Sequence, residues 1–129
     1  VFEVSMTQIV ITVIIAGLLP IVCAGIAKWG FKSYDNREPR AWLATQSGWR
    51  ARANAAQQNS LEAFPLFAAA VIFALIAKAD ASLMIPVCWF FIACRVLYIY
   101  CYVSDKASMR SFVWFLGIAA TLRLFLFAM

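Results

Sequence analysis

The chain has no histidine and few charges: Asp and Glu together number 6, Lys and Arg 11, and charged residues make up 13% of the 129. Without histidine there is no imidazole base and no His-containing metal site. Charge this sparse does not match the surface of a soluble domain of this length. The four cysteines, Cys23, Cys88, Cys94 and Cys101, lack CxxC spacing and all fall inside apolar runs. They read as small hydrophobes, indicating neither a disulfide nor a metal. No low-complexity segment, internal repeat or extended linker interrupts the sequence.

What is abundant is apolar. Hydrophobic residues are 65% of the chain and the mean hydropathy is +0.85. Runs long enough to cross a bilayer, about 20 residues each, take up most of the length. The sequence therefore reads as an all-α membrane protein, a four-transmembrane-helix bundle with spans near 9–27, 53–77, 83–103 and 111–129 in a single transmembrane domain covering 1–129. Glu3 precedes the first run, where a signal peptide would carry basic residues, so that run is expected to be a retained span. Membrane lipids are the expected surroundings.

The net charge of +5 sits mostly in two connections, where it orients a membrane protein; it does not point to nucleic acid. The first connection carries Lys28, Lys32, Arg37, Arg40, Arg50 and Arg52 against Asp35 and Glu38. Trp29, Trp42 and Trp49 fall at the level where indoles prefer the interface. Asn36, Glu38 and Pro39 can start a short surface helix with Trp42 and Leu43 on one side. The link from Lys78 to Ser82 is too short for anything but an antiparallel hairpin, and the third connection, Ser104 to Arg110, is again basic. The pattern puts the first and third connections in the cytoplasm and both termini opposite.

Charges inside the spans need an explanation, since each costs roughly 2.5 to 3.5 kcal/mol on insertion scales. Glu62 and Arg95 both fall roughly 12 to 14 Å below the cytoplasmic surface, given a rise of about 1.5 Å per residue. They are expected partners in adjacent helices. Pro65 is expected to kink the second span, and Arg123 to snorkel at the far end. Arg52, Asn59 and Glu62 share one helical face, and Arg95, Tyr98 and Tyr102 another. Two facing stripes would form a polar pocket for a small zwitterion or anion. They could equally serve only to join helices.

The segment from Arg52 through Asn59, Glu62 and Pro65 to Phe67 resembles the second-helix signature of the MAPEG family, the membrane-associated proteins of eicosanoid and glutathione metabolism. Arg95-Val-Leu-Tyr98 with Tyr102 resembles its third-helix motif. The resemblance spans nearly the whole chain and is strongest to the bacterial branch, where Asn36-Arg-Glu-Pro39-Arg40 is also typical. It implies a homotrimer in a bacterial inner membrane, with glutathione bound between subunits as the cofactor of a transferase or peroxidase acting on lipophilic electrophiles. By position, Arg52, Asn59 and Glu62 would bind glutathione with Tyr98 and Tyr102 lining the site, and Arg110 would be catalytic by stabilising the thiolate. The pattern departs from the family at Ala55, where glutathione-using members carry Arg, at Ala63, where several carry Tyr, at Gln57, where many carry His, and at Arg110, displaced by one residue. Those departures leave open a non-catalytic membrane subunit or an accessory component of a larger membrane complex.

Overall fold

In a computed structural model, which describes residues 2–30 and 33–129, the chain forms five helices: α1 (Phe2–Lys28), α2 (Pro39–Ala44), α3 (Gly48–Ile76), α4 (Ala81–Val103) and α5 (Ala107–Phe127). Among the described residues there is no strand. All but α2 are long and apolar enough to span a bilayer, and α1 and α5 each pack against both α3 and α4. Lys32, one of the basic residues of the first connection, lies outside the described residues.

The four long helices are the four expected spans with shifted ends. The largest shift is at α1, which starts at Phe2 rather than Ile9, and the one that bears on the site is at α3, which starts at Gly48 rather than Ala53. Gly48 has φ 66, a conformation only glycine adopts at no steric cost, and the helix begins directly there. Arg50 and Arg52 therefore lie on helix, not loop. Arg50 donates from its two terminal nitrogens to the carbonyls of Ala27 (2.9 Å) and Trp29 (2.8 Å), filling acceptors that the end of α1 leaves open. Likewise α5 starts at Ala107, so Arg110 stands on its first turn and not in the connection. Pro65, expected to kink α3, lies inside it without ending it; the missing amide leaves only one carbonyl without its helical donor.

The expected short surface helix is α2. Pro39 occupies its first turn, where the absent N–H is no loss. Leu43 buries against Ala27 of α1 and Ala53 of α3, with Trp42 packed beside them. Asp35, before α2, accepts from the amide and guanidinium of Arg37, and these hydrogen bonds, the backbone one foremost, hold its carboxyl below the usual value.

Two tight turns share one geometry. After α3, Ala79 donates to the carbonyl of Ala74 (3.0 Å) and Lys78 to that of Leu75 (3.0 Å); after α4, Lys106 donates to Cys101 (2.8 Å) and Asp105 to Tyr102 (3.2 Å). Both are Schellman endings. They place Lys78 at φ 59 and Asp105 at φ 62, where glycine would be at ease and a side chain is strained. Asp80 then starts α4 by accepting from the hydroxyl (2.8 Å) and amide (2.9 Å) of Ser82, and these bonds, the hydroxyl one foremost, lower its pKa from the usual value.

Between the helices the core divides along the membrane normal. Toward the α3–α4 turn, Phe67 and Phe91 stack at 4.0 Å and 3° among Ile9, Ala70, Met84, Cys88 and Leu124. Toward the basic end, Leu19, Cys23, Ala56, Cys94, Ile99 and Val113 close around Tyr98. The buried face of α3 is mostly small, with Ala53, Ala56, Ser60, Ala70 and Ala74, which lets neighbouring backbones approach closely. Replacing Lys78 by Gly relieves the left-handed strain, which costs a side chain roughly 1–2 kcal/mol, less part of the extra freedom glycine has when unfolded. Thermal unfolding in detergent is expected to show a gain of about 0.5–1 kcal/mol, and no gain would mean the turn is not left-handed at that residue.

Candidate functional site

The candidate site forms on the outer side of α3, α4 and α5 in the half of the bundle nearest the basic connections. Its deepest member is Arg95, only 3% exposed. A guanidinium stays charged at any ordinary pH, so its burial requires acceptors. These come from α3: Arg95 Nη2 donates to Asn59 Oδ1 at 2.7 Å and reaches Ser60 Oγ at 3.4 Å. The guanidinium carbon also lies 4.3 Å from the centre of the Tyr98 ring.

The expected ion pair between Arg95 and Glu62 is not formed. Among the described residues the ion pair found is Arg37–Asp35, in the first connection. The reason lies in helix geometry. Ala56 and Ser60, a turn apart, face inward and are buried, whereas Asn54, Gln58 and Glu62, each four residues from the last, form a separate row on the outside of α3. Asn59, between the two rows, is the polar group that turns toward Arg95. Neutral acceptors also avoid desolvating a second charge.

From Arg95 outward, a pair of rings lies between two cations. The Tyr98 ring meets Tyr102 edge-on at 5.7 Å and 81°, and the Arg110 guanidinium lies 4.3 Å from the Tyr102 ring centre. Tyr98 is 5% exposed, while Tyr102 and Arg110 are half-buried. This ladder of Arg95, Tyr98, Tyr102 and Arg110 separates two adjoining hollows. One, of about 360 Å³, opens toward α5 and is lined by Arg110, Ser111 and Trp114. The other, of about 380 Å³, opens along α3 and is lined by Asn54, Ala55, Gln58 and Glu62. Asn59, Tyr98 and Tyr102 border both. Each is of a size that ligand sites have.

Of the residues singled out in the sequence, Asn59, Glu62, Tyr98, Tyr102 and Arg110 thus come together. Arg52 does not line either hollow; its Nε donates to the carbonyl of Val103 at 3.1 Å, tying α3 to the end of α4. Arg123 is exposed at the opposite end, its guanidinium 4.3 Å from the Phe127 ring. The sequence reading missed Ser60 as an acceptor and Asn54 and Gln58 as groove walls. The four-residue spacing of Asn54, Gln58 and Glu62 was the available signal for the latter.

The groove presents one acidic and one basic side chain. Glu62 is exposed and makes no hydrogen bond or ion pair among the described residues, so it is available to an ammonium. Arg110 contacts only a ring among the groups described above and is available to an anion. Carboxamides and phenols between them match a peptide backbone.

Four helices long and apolar enough to cross a bilayer make the chain an integral multi-pass membrane protein. Within that class, the chain belongs to the MAPEG family, whose family model matches residues 9–129. Neither a curated protein nor a solved structure matches the chain.

The Arg95–Asn59 contact predicts an asymmetry. Asn59→Leu leaves a buried guanidinium short of an acceptor and is expected to cost about 2–3 kcal/mol. Arg95→Met removes the charge together with its need for acceptors and is expected to cost less, because a buried ion replaced by an apolar residue of similar volume is often tolerated. Thermal unfolding of the two variants in one detergent checks the order; Arg95→Met as the more damaging change would contradict it.

Proposed function

We propose that the groove binds glutathione and that the protein is a glutathione-dependent transferase or peroxidase acting on lipophilic electrophiles that enter from the bilayer. One observation carries the reading: the Glu62 carboxylate and the Arg110 guanidinium line adjoining hollows across the Tyr98–Tyr102 pair, and neither is consumed by an ion pair among the described residues. Glutathione supplies a thiol, an ammonium and two carboxylates. Glu62 would hold the ammonium, and Gln58, Asn54 and the Asn59 amide nitrogen would bond the peptide groups. Arg110, beside the Tyr102 ring, favours the charged form of a thiol and so would raise the share of thiolate. Trp114 and the exposed Phe115 at the outer edge of the groove give an apolar approach for an electrophile dissolved in lipid.

The same outward polar row supports association with further copies of the chain, which would assemble as a homotrimer. Glu62 and Gln58 are exposed on a spanning helix, where hydrocarbon cannot satisfy them. A neighbouring copy covering this row would shield it and complete the carboxylate-binding cations, of which one groove contains only Arg110. Residues 1–129 then act as one transmembrane domain, in a bacterial inner membrane, with the basic end in the cytoplasm and the termini opposite.

A non-catalytic membrane subunit, alone or in a larger membrane complex, is the second reading. It is favoured by Ala55 in the groove wall, where a cation would be expected, and by Asn59 Oδ1, already taken by Arg95. Titration calorimetry separates the two. The enzyme reading predicts glutathione binding in the millimolar range or tighter, weakened roughly 10- to 100-fold by Glu62→Gln, the value of a charge-assisted bond. It also predicts a thiolate absorbance that Arg110→Ala removes. No binding at millimolar glutathione would overturn it.

A further inference from the structure

A third hollow, of about 450 Å³, lies between the end of α1, the surface helix α2 and the first turns of α3. It belongs to neither half of the groove, although Asn54 and Gln58 border it as well. We propose that it is a seat for the phosphate of an anionic phospholipid, with Lys28 and Arg40 as the cations that hold it.

Charge is the first argument. Among the described residues, Lys28 and Arg40 line the hollow and no carboxylate does. Of the two acids in this connection, Asp35 is committed to Arg37 at 3.2 Å, and Glu38 precedes α2 without lining the hollow. Lys28 is half-buried, and its ammonium rests 4.9 Å from the centre of the Tyr34 ring, an apolar neighbour that steers it without neutralising it.

The order of polarity along the hollow is the second argument. Its cations are at the membrane surface, on the last residue of α1 and on α2. Asn54 and Gln57 follow, roughly 9 and 14 Å along α3 from Gly48, and Leu61 lies about 20 Å along, at about 1.5 Å per residue. Leu43, pinned in the core beneath α2, forms an apolar side wall. Cation, carboxamide and aliphatic wall succeed one another with depth as phosphate, glycerol ester and acyl chain do in a phospholipid. A free phosphate shares the headgroup's charge and would use the same cations, but it has nothing to place against Leu43 and Leu61.

This site is independent of the thiol reading, and its test uses neither Glu62 nor Arg110. The full chain is purified in a neutral detergent, and the retention of added phosphatidylglycerol or phosphatidylcholine is measured by native mass spectrometry. The expected result is selective retention of phosphatidylglycerol, reduced roughly 30-fold in Lys28→Gln/Arg40→Gln, the factor for losing two cations at an anionic surface. Lys28→Arg/Arg40→Lys is expected to restore it. If the double variant loses helicity by circular dichroism, Arg40→Gln alone decides, since Arg40 is exposed, with an expected reduction of roughly 5-fold. Equal retention by wild type and variant, or equal retention of both lipids, would overturn the proposal. Displacement of phosphatidylglycerol by millimolar inorganic phosphate would overturn the lipid as occupant and assign the cations to a free anion.

Discussion

A guanidinium inside a membrane bundle constrains everything packed around it, and Arg95 is 3% exposed. Its acceptors must come from the facing helix, which fixes the rotation of α3: Asn59 and Ser60 have to turn toward α4. Once that rotation is set, the row Asn54, Gln58 and Glu62 is directed outward, and Ala56 is directed into the core. The groove is thus a by-product of satisfying one buried cation. Its polar wall is the part of α3 that Arg95 does not use.

The same contact assigns the polar residues different work. Arg95 and Ser60 are engaged with protein, and Asn59 with both protein and groove. Arg52 and Arg50 are tied to backbone carbonyls at the ends of α4 and α1, so these two basic residues bind helices together at the charged end. Glu62 and Arg110 are left over, and a leftover carboxylate and guanidinium on spanning helices call for something outside the single chain, whether a ligand, a second copy or both. Lys28 and Arg40 are left over in the same sense at the membrane surface.

Much of this was legible in the sequence. The spans follow from length and composition, because a bilayer accepts little besides a long apolar helix. The short helix after Pro39 and the gathering of Asn59, Glu62, Tyr98 and Tyr102 also followed from local signals and helical spacing, whereas Arg110 was indicated by the family resemblance alone. The partner of Arg95 did not. Equal depth made Glu62 and Arg95 look paired, yet depth says nothing of rotation about the helix axis, and Asn59 and Glu62 differ in just that. Nor did the sequence reveal that Arg52 would be captured by the Val103 carbonyl, since the Schellman ending that exposes this carbonyl depends on a left-handed Asp105. The starts of α3 and α5 were read too late because basic residues were taken for loop, although a helix terminus at the interface accommodates them readily.

Asn59, and not Glu62, answers the charge of Arg95. Double-mutant cycles in stability measure this directly, with Arg95→Leu crossed once with Asn59→Leu and once with Glu62→Gln. The expected coupling is about 1–2 kcal/mol for Asn59 with Arg95 and less than about 0.5 kcal/mol for Glu62 with Arg95. A larger coupling through Glu62 would mean that the carboxylate is spent inside the bundle, and the groove would lose the group on which its proposed chemistry rests.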